Sequence, residues 1–389
     1  MGGTIIVKGW YGHKNLGDDL LFIVLTKILT NACDAKIVLW CRKRSYLSRM
    51  TAGLHFLEPW TQLHRPVILL WGGGTQFISF PGSDRVWYLP ENLLSLLHSP
   101  KRLARSPVTV YRLFMEYGRM LRSRSACWRG GIGIGVGPFI KENRNTEAMV
   151  AELQSMDWIA VRDEESLAVC LEYGISKNKI ILGADLSFLH PCIGTKLPKR
   201  EKIVIIPRVS PVDQNWGTWE DAIYKAFQTI SPDCLEIISL CERDHDVARC
   251  LGDRLKTNVV IWDPDIMSLE TMIQRIATAR LVVSARYHGA LISGASGVPT
   301  IVMNLEQKLQ SLARQLPNVI LCNSTEELVG TISKWVQING DNITVNSEVN
   351  KLKAAALHSV CTLLDEFVKV GIRIYKTRVS NLMKTITLG

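Results

Sequence analysis

The sequence predicts an α/β protein of two Rossmann-like domains, each a parallel sheet, facing one another across a cleft and followed by a helical tail. Three observations carry this. Short apolar runs rich in β-branched residues alternate with helical patterns along most of the 389 residues, the rhythm of parallel sheets buried on both faces. The rhythm breaks at the polar, proline-bearing stretch HPCIGTKLPKREK (190–202) and then restarts. Finally, glycines, arginines and a histidine fall just after apolar runs, where open parallel sheets place their ligands.

The first domain is expected over residues 1–190. TIIVK (4–8) reads as a strand, GWYGHKNLGDD as a glycine loop and DLLFIVLTKILTNA as a helix. AKIVLWCR (35–42) is a second strand, and PVILLWGGGTQF (66–77) a third that ends in three glycines. GGIGIGVGPF (130–139) is a glycine-broken strand. WIAVRDEESLAVCLEYGI (158–175) is a short strand, a turn and a helix that stops at Gly174, and IILGADLSFL (180–189) closes the half. The second domain, 202–340, opens with the strand KIVIIPR. Three strand-and-helix units follow, within 234–255, 259–279 and 280–297, and PTIVMN is a further strand. The tail, 346–389, contains one long helical stretch over 350–384.

Formal net charge is +10, from 46 Lys and Arg against 36 Asp and Glu. An excess of that size suits anionic partners. Ten cysteines contain no CxxC pair and no zinc spacing, so they read as reduced, mostly buried thiols of a cytoplasmic protein with no metal site. The N-terminus lacks a basic region followed by an apolar core, so no signal peptide is expected. No apolar run approaches the ~20 residues of a membrane span.

The glycine loops match neither GxGxxG nor GxxxxGK[ST], which disfavours a nicotinamide cofactor and an ATPase. Gly12, Asn15 and Gly17 lie between a strand and a helix whose N-terminus can hold an anion or sugar hydroxyls, and Asp18 falls where a cap would sit. Gly73 and Gly74 leave bare backbone at a strand end. Arg162 and Asp163 follow a short strand, as an ion pair, a cap or a ligand contact. Arg208 and Arg286 follow two strands of the second half, and Lys308 comes after another. An arginine fork suits phosphate and carboxylate by donating two parallel hydrogen bonds. His288, two residues beyond Arg286, is a candidate acid or base.

The ordered segments GWYGHKNLGDDLL, WGGGTQF, GIGIGVGP, VRDEESLAVCLEYGI, GADLSFL, SLCERDHDVA, SARYHGALISGASGVPTIVM and EQKLQSLARQL resemble the polysaccharide pyruvyl transferase family over about residues 4 to 316. The resemblance implies a GT-B type fold. It implies transfer of a pyruvyl group from phosphoenolpyruvate to two sugar hydroxyls, giving a cyclic ketal and phosphate, with phosphoenolpyruvate as co-substrate and no cofactor. Arg286 and His288 match its RxH signature, Arg162 the arginine of its VRD segment and Lys308 a lysine after the last strand. The site expected from residues and resemblance together has His288, Asp18 and Asp163 as catalytic groups. Arg286, Arg208, Lys308 and Arg162 hold the donor, and Gly12, Asn15, Gly17, Gly73 and Gly74 face the acceptor. Tyr287 stands where the family often has an aliphatic residue, and SLCERDHD replaces its more usual segment. A nucleotide-sugar glycosyltransferase and a non-catalytic glycan-binding protein are the alternatives.

Residues 101–129 hold eight basic side chains and one acid, interleaved with apolar ones. A helix pair, a lid over the acceptor cleft or an element lying on an anionic membrane would read this way. The last fits a peripheral protein of the inner membrane face that meets a sugar acceptor, free or lipid-linked. No nucleic-acid motif accompanies the charge.

Overall fold

The computed structural model describes residues 2–41, 46–51, 53–79, 107–195, 198, 201–209, 216–338 and 344–380. In the first half, strands β1 Thr4–Lys8, β2 Lys36–Trp40, β3 His55–Phe56, β4 Val67–Phe77, β5 Trp128–Val136, β6 Trp158–Val161 and β7 Ile180–Leu182 alternate with helices α1 Leu16–Ala32, α2 Leu47–Met50, α3 Pro107–Ser123, α4 Arg144–Gln154 and α5 Glu164–Glu172. The strands form a parallel sheet in the order β3-β2-β1-β4-β5-β6-β7.

The second half repeats the plan. Its strands are β8 Ile203–Ile206, β9 Leu235–Ser239, β10 Val259–Ile261, β11 Leu281–Ser284, β12 Thr300–Met303 and β13 Val319–Cys322, with helices α6 Trp216–Phe227, α7 His245–Leu255, α8 Leu269–Ala277, α9 Tyr287–Ala295, α10 Gln307–Gln315 and α11 Thr325–Gln337. They make a parallel sheet in the order β10-β9-β8-β11-β12-β13. Fully buried runs such as Ile203–Ile206 and Leu281–Ser284 show why: a strand covered on both faces has no reason to alternate. This is the two-sheet α/β architecture expected.

Several details differ from the sequence reading. The glycines of WGGGTQF do not end their strand. β4 continues through Gly72, Gly73 and Gly74 to Phe77, because glycine at φ +45 and +78 can bend while the pairing to β5 resumes. Asp18 is not the cap of α1: Asn15 is, accepting from Gly17 N, and Asp18 lies in the first turn. The two-residue strand β3 carries too little pattern to be read, and β13, the apolar run VILC, is a further strand that the sequence reading does not include. The tail is helical over α12, Asn346–Lys369, and again at 376–380; between them Gly371 at φ +91 turns the chain and Ile374 bridges to Cys33, and residues 381–389 lie outside the described residues. Half of the ten thiols are buried, Cys33, Cys41, Cys170, Cys241 and Cys322, whereas Cys127 and Cys250 are exposed. No helix among the described residues is long and apolar enough to cross a membrane.

Helix α12 returns to the first sheet, where Phe367 meets Trp128 edge to face at 5.5 Å. The two halves are also tied directly. Asp19, fully buried, accepts hydrogen bonds from Tyr46 Oη at 2.7 Å and from Trp262 Nε1 of the second half at 2.8 Å. Lys14 pairs with Asp263 at 2.8 Å, and Leu16 N donates to Leu240 O. One apolar cluster includes residues of both halves.

Burial raises the Asp19 carboxyl to about 6 from 3.8, although its two hydrogen bonds act in the opposite sense. Ionising it therefore costs the folded state between those values, and above about 6 the buried charge depends on its donors. Trp262→Phe is expected to destabilise the protein by about 1 kcal/mol more at pH 8 than at pH 5, the difference between a hydrogen bond to a charged and to a neutral acceptor. The lost ring volume adds a term that does not vary with pH, so denaturant unfolding at both values isolates the hydrogen bond. Equal losses at the two pH values would contradict this role for Asp19.

Candidate functional site

Strand order reverses between β1 and β4 in the first sheet and between β8 and β11 in the second. Such reversals open a crevice beyond the carboxyl ends of the strands. The two crevices face each other, with Asn15 forming an antiparallel bridge to Cys241. Into this junction project the loop after β1 with Gly12, Asn15 and Gly17, the β4 segment around Gly73 and Gly74, Arg208 beyond β8 and Arg286 beyond β11.

His288 stands in the first turn of α9, pressed against Gly17 of α1. A Cβ placed on Gly17 would lie 2.0 Å from His288 Nδ1, so only glycine permits this approach. The other ring nitrogen, Nε2, is 3.7 Å from Asp185 Oδ2. Both atoms are buried without a hydrogen-bond partner among the described residues. Burial would raise the Asp185 carboxyl, but His288, Arg162 and Ser187 outweigh it and hold it at about 2.

Arg162 is buried and held on several sides. Its Nε donates to Asp163 Oδ2 at 2.9 Å and its Nη2 to Thr75 Oγ1 at 3.1 Å. Nη1 lies 3.8 Å from Asp185, and the guanidinium stacks 4.6 Å over the Tyr287 ring. Asp163 caps α5, accepting from Ser166 N and Oγ at 2.8 and 2.5 Å. Burial opposes its charge, but Arg162 and Ser166 prevail and lower its pKa. With both oxygens engaged, Asp163 is a holder of Arg162 and not a free base.

Asp18 has one oxygen on Asn15 Nδ2 at 2.8 Å, and its other oxygen would lie 3.3 Å from a Cβ at Gly74. Burial, with Asp19 beside it, raises this carboxyl to about 7, against the nearby charges of Lys308 and Arg286. The two cations belong to the second half, so they face Asp18 across the junction.

On that second wall each cation already has a carboxylate. Arg286, at the N-cap position of α9, donates Nε and Nη2 to the fully buried Asp244 at 2.6 and 2.7 Å. Arg208 Nη2 and Lys308 Nζ share Glu306, the lysine at 2.6 Å. Lys308 lies in the first turn of α10, with Glu306 at that helix's N-cap. Burial lowers Lys308 to about 8, with Arg208 and Arg162 contributing and Glu306 opposing. Arg208 is 8% exposed, and its Nε and Nη1 are buried with no hydrogen-bond partner among the described residues. The expected bare cationic pocket is thus an array of paired cations with spare donors on Arg208.

Sequence reasoning did not assign roles to Asp185, Asp244, Glu306 or Thr75. Asp185 and Asp244 lie in GADLSFL and SLCERDHD, segments singled out without a role for either carboxylate. Glu306 sits just after β12, the position that flagged Arg208 and Arg286.

The fold, two Rossmann-like parallel sheets, is shared with solved structures. UDP-GlcNAc 2-epimerase from Methanocaldococcus jannaschii aligns with a TM-score of 0.55 at 13% identity over 93% of this chain and 99% of that one. HepE of Anabaena, solved in complex with UDP, aligns at 0.53 with 9% identity over 94% and 98%. These likenesses establish the fold. The chain belongs to the polysaccharide pyruvyl transferase family, whose model matches residues 15–306. Amylovoran biosynthesis protein AmsJ of Erwinia amylovora is similar to it, 26% identical over 215 residues. That match spans 48% of this chain and about half, 51%, of the relative.

The Gly17–His288 contact is testable by a double-mutant cycle. Gly17→Ala is expected to destabilise the wild type by about 1–3 kcal/mol through overpacking, and to cost much less in a His288→Ala background. Equal losses in both backgrounds would show that the ring does not set the constraint.

Proposed function

We propose that the chain transfers the pyruvyl group of phosphoenolpyruvate to two hydroxyls of a sugar in a polysaccharide or glycan precursor, forming a cyclic ketal and releasing phosphate. The observation that carries this reading is the array of Arg208, Lys308 and Arg286, with His288 on the same wall and Asp18 opposite, and with buried unpartnered donors on Arg208. Family membership supports the reaction class.

A donor with a phosphate and a carboxylate needs several fixed cations. Arg208 offers Nε and Nη1, Lys308 is charged below about 8, and Arg286 keeps donors beyond the two that Asp244 uses. The first turns of α1 and α9 add their positive ends on either side. On the first wall we take half-buried Asn15 to meet the acceptor, since Gly12, Gly17, Gly73 and Gly74 are buried, Gly17 against His288 and Gly73 against Leu21.

The chemistry then follows the residues. His288 donates a proton to C3 of the enol, and positive charge develops at C2. A sugar hydroxyl adds to C2 and gives its proton to Asp18. The C2–O bond to phosphate breaks, with the arginines stabilising the leaving charge. The second hydroxyl adds to C2 and loses its proton, closing the ketal. Of the two hydroxyl protons, one balances the proton placed on C3 and the other leaves with phosphate. Asp185 orients the imidazole, and Arg162 fixes the Tyr287 wall beside it. No cofactor enters this route.

Phosphate release from phosphoenolpyruvate with a panel of sugars, and mass spectrometry of the products, tests the proposal. Nucleotide release from a nucleotide sugar, with no phosphate from phosphoenolpyruvate, would overturn it. His288→Gln is expected to keep donor binding and lose roughly 10²–10⁴-fold in rate; a parallel fall in both would make His288 a binding residue. Arg286→Ala is expected to weaken donor binding at least about tenfold, and unchanged affinity would remove it from the site. The rate should rise with pH through about 7, as Asp18 ionises to its base form. Donor affinity should fall as pH passes about 8, where Lys308 loses its charge. In Asp18→Asn the acidic limb should disappear.

A further inference from the structure

The basic stretch found in the sequence resolves into two kinds of arginine. Lys101, Arg102 and Arg105 lie outside the described residues. Arg119 is turned inward, 6% exposed, donating to Leu57 O and paired with Glu116 and Glu58. Arg129 is partly buried, with Glu152 at 3.6 Å. Arg122 and Arg124, at the end of α3, are exposed, although Arg122 Nε still reaches Pro59 O.

The outer face of α3 is apolar. Tyr111 is 60% exposed, Phe114 61% and Leu121 45%. Spacings of three and seven residues place them on one side of the helix, opposite the flank that buries Arg119 and Ser123. Gly118, on the same side, lies so close to Pro59 that a Cβ would meet it at 2.6 Å. The Pro59–Trp60 segment therefore borders this face, and Trp60 is 66% exposed. An outward row of large apolar side chains edged by arginines is the signature of an element that rests in the headgroup layer of a bilayer. Aromatic residues favour that layer, and arginines favour anionic lipid.

The face also has an orientation. β4 ends at Phe77 on the side of the molecule where the junction opens, and β5 begins with Trp128 at the opposite end. α3 precedes β5 and runs back along the sheet, so its first turns, with Tyr111 and Phe114, lie toward the junction.

We propose that Trp60, Tyr111, Phe114 and Leu121, with Arg122 and Arg124, form a docking surface for an anionic lipid bilayer. This goes beyond the reaction proposed above and does not depend on it. The test is flotation of the full chain with vesicles of phosphatidylcholine mixed with phosphatidylglycerol, against pure phosphatidylcholine, at low and high salt. Binding to the anionic vesicles is expected, weakened by salt. The double variant Phe114→Glu and Leu121→Glu should reduce the bound fraction at least about tenfold, and Arg122→Gln with Arg124→Gln should reduce it and flatten the salt dependence. Trp60→Ser is an independent probe, and circular dichroism confirms that each exposed substitution leaves the fold intact. Absence of flotation at low salt, or flotation unaffected by these variants, would overturn the proposal. So would a result in which they abolish self-association in sedimentation and leave lipid binding unchanged, which would make the face a contact between two copies of the chain.

Discussion

The close approach of two helix N-termini, the first turn of α1 and the first turn of α9, is the constraint on which the rest of the junction depends. It is possible because Gly17 has no side chain where the His288 ring lies. Two such ends brought together would repel through their unpaired N–H groups and aligned dipoles. The sequence around them is correspondingly acidic: Asp18 and Asp19 lie in the first turn of α1, and Asp185 faces His288. Those carboxylates have different surroundings. Asp19 is tied to Tyr46 and Trp262, Asp185 is held ionised, and Asp18 is left near neutrality among opposing influences. One packing constraint thus produces both the interlock of the halves and the titrating group at their junction.

Charge pairing sets the character of the second wall. Asp244 takes Arg286 in a fork and Glu306 takes Arg208 and Lys308 together. A lone guanidinium in a buried site would be mobile and costly to desolvate, whereas a paired one is fixed and still has donors to offer. Two cations on one carboxylate leave a local positive excess at Glu306, which favours an incoming anion. Arg162 is fixed on the opposite wall by Asp163 and Thr75 and stacks on Tyr287 from the other half. That aromatic departure from an aliphatic residue therefore has a structural role, joining the two walls.

The sheets were legible because buried parallel strands write themselves as continuous apolar runs, and the short connections put Arg162, Arg208, Arg286 and His288 beside their ends. Partners were less legible. Asp244 reaches Arg286 from 42 positions away, and Asp185 meets His288 from the other half, so nothing local announces either pairing. Asp163 reads as a site residue by its place after β6, yet its oxygens are taken up by Ser166 and Arg162. The glycines of β4 looked like a strand end because glycine usually interrupts pairing; here Gly73 and Gly74 bend the strand without ending it. The basic run at 101–129 gave no sign that Arg119 turns inward, since inward and outward arginines look alike without the neighbouring loop at Leu57 and Glu58.

The central claim is that the junction is built to hold a small organic phosphate with a carboxylate. Calorimetric titration of phosphoenolpyruvate into the wild-type chain and into Arg208→Ala, with UDP as the comparison ligand, tests it most directly. The account predicts that phosphoenolpyruvate binds, that UDP does not displace it, and that Arg208→Ala weakens binding at least about tenfold through loss of charge-assisted hydrogen bonds. Binding of UDP in place of phosphoenolpyruvate, or phosphoenolpyruvate affinity unchanged in Arg208→Ala, would contradict it.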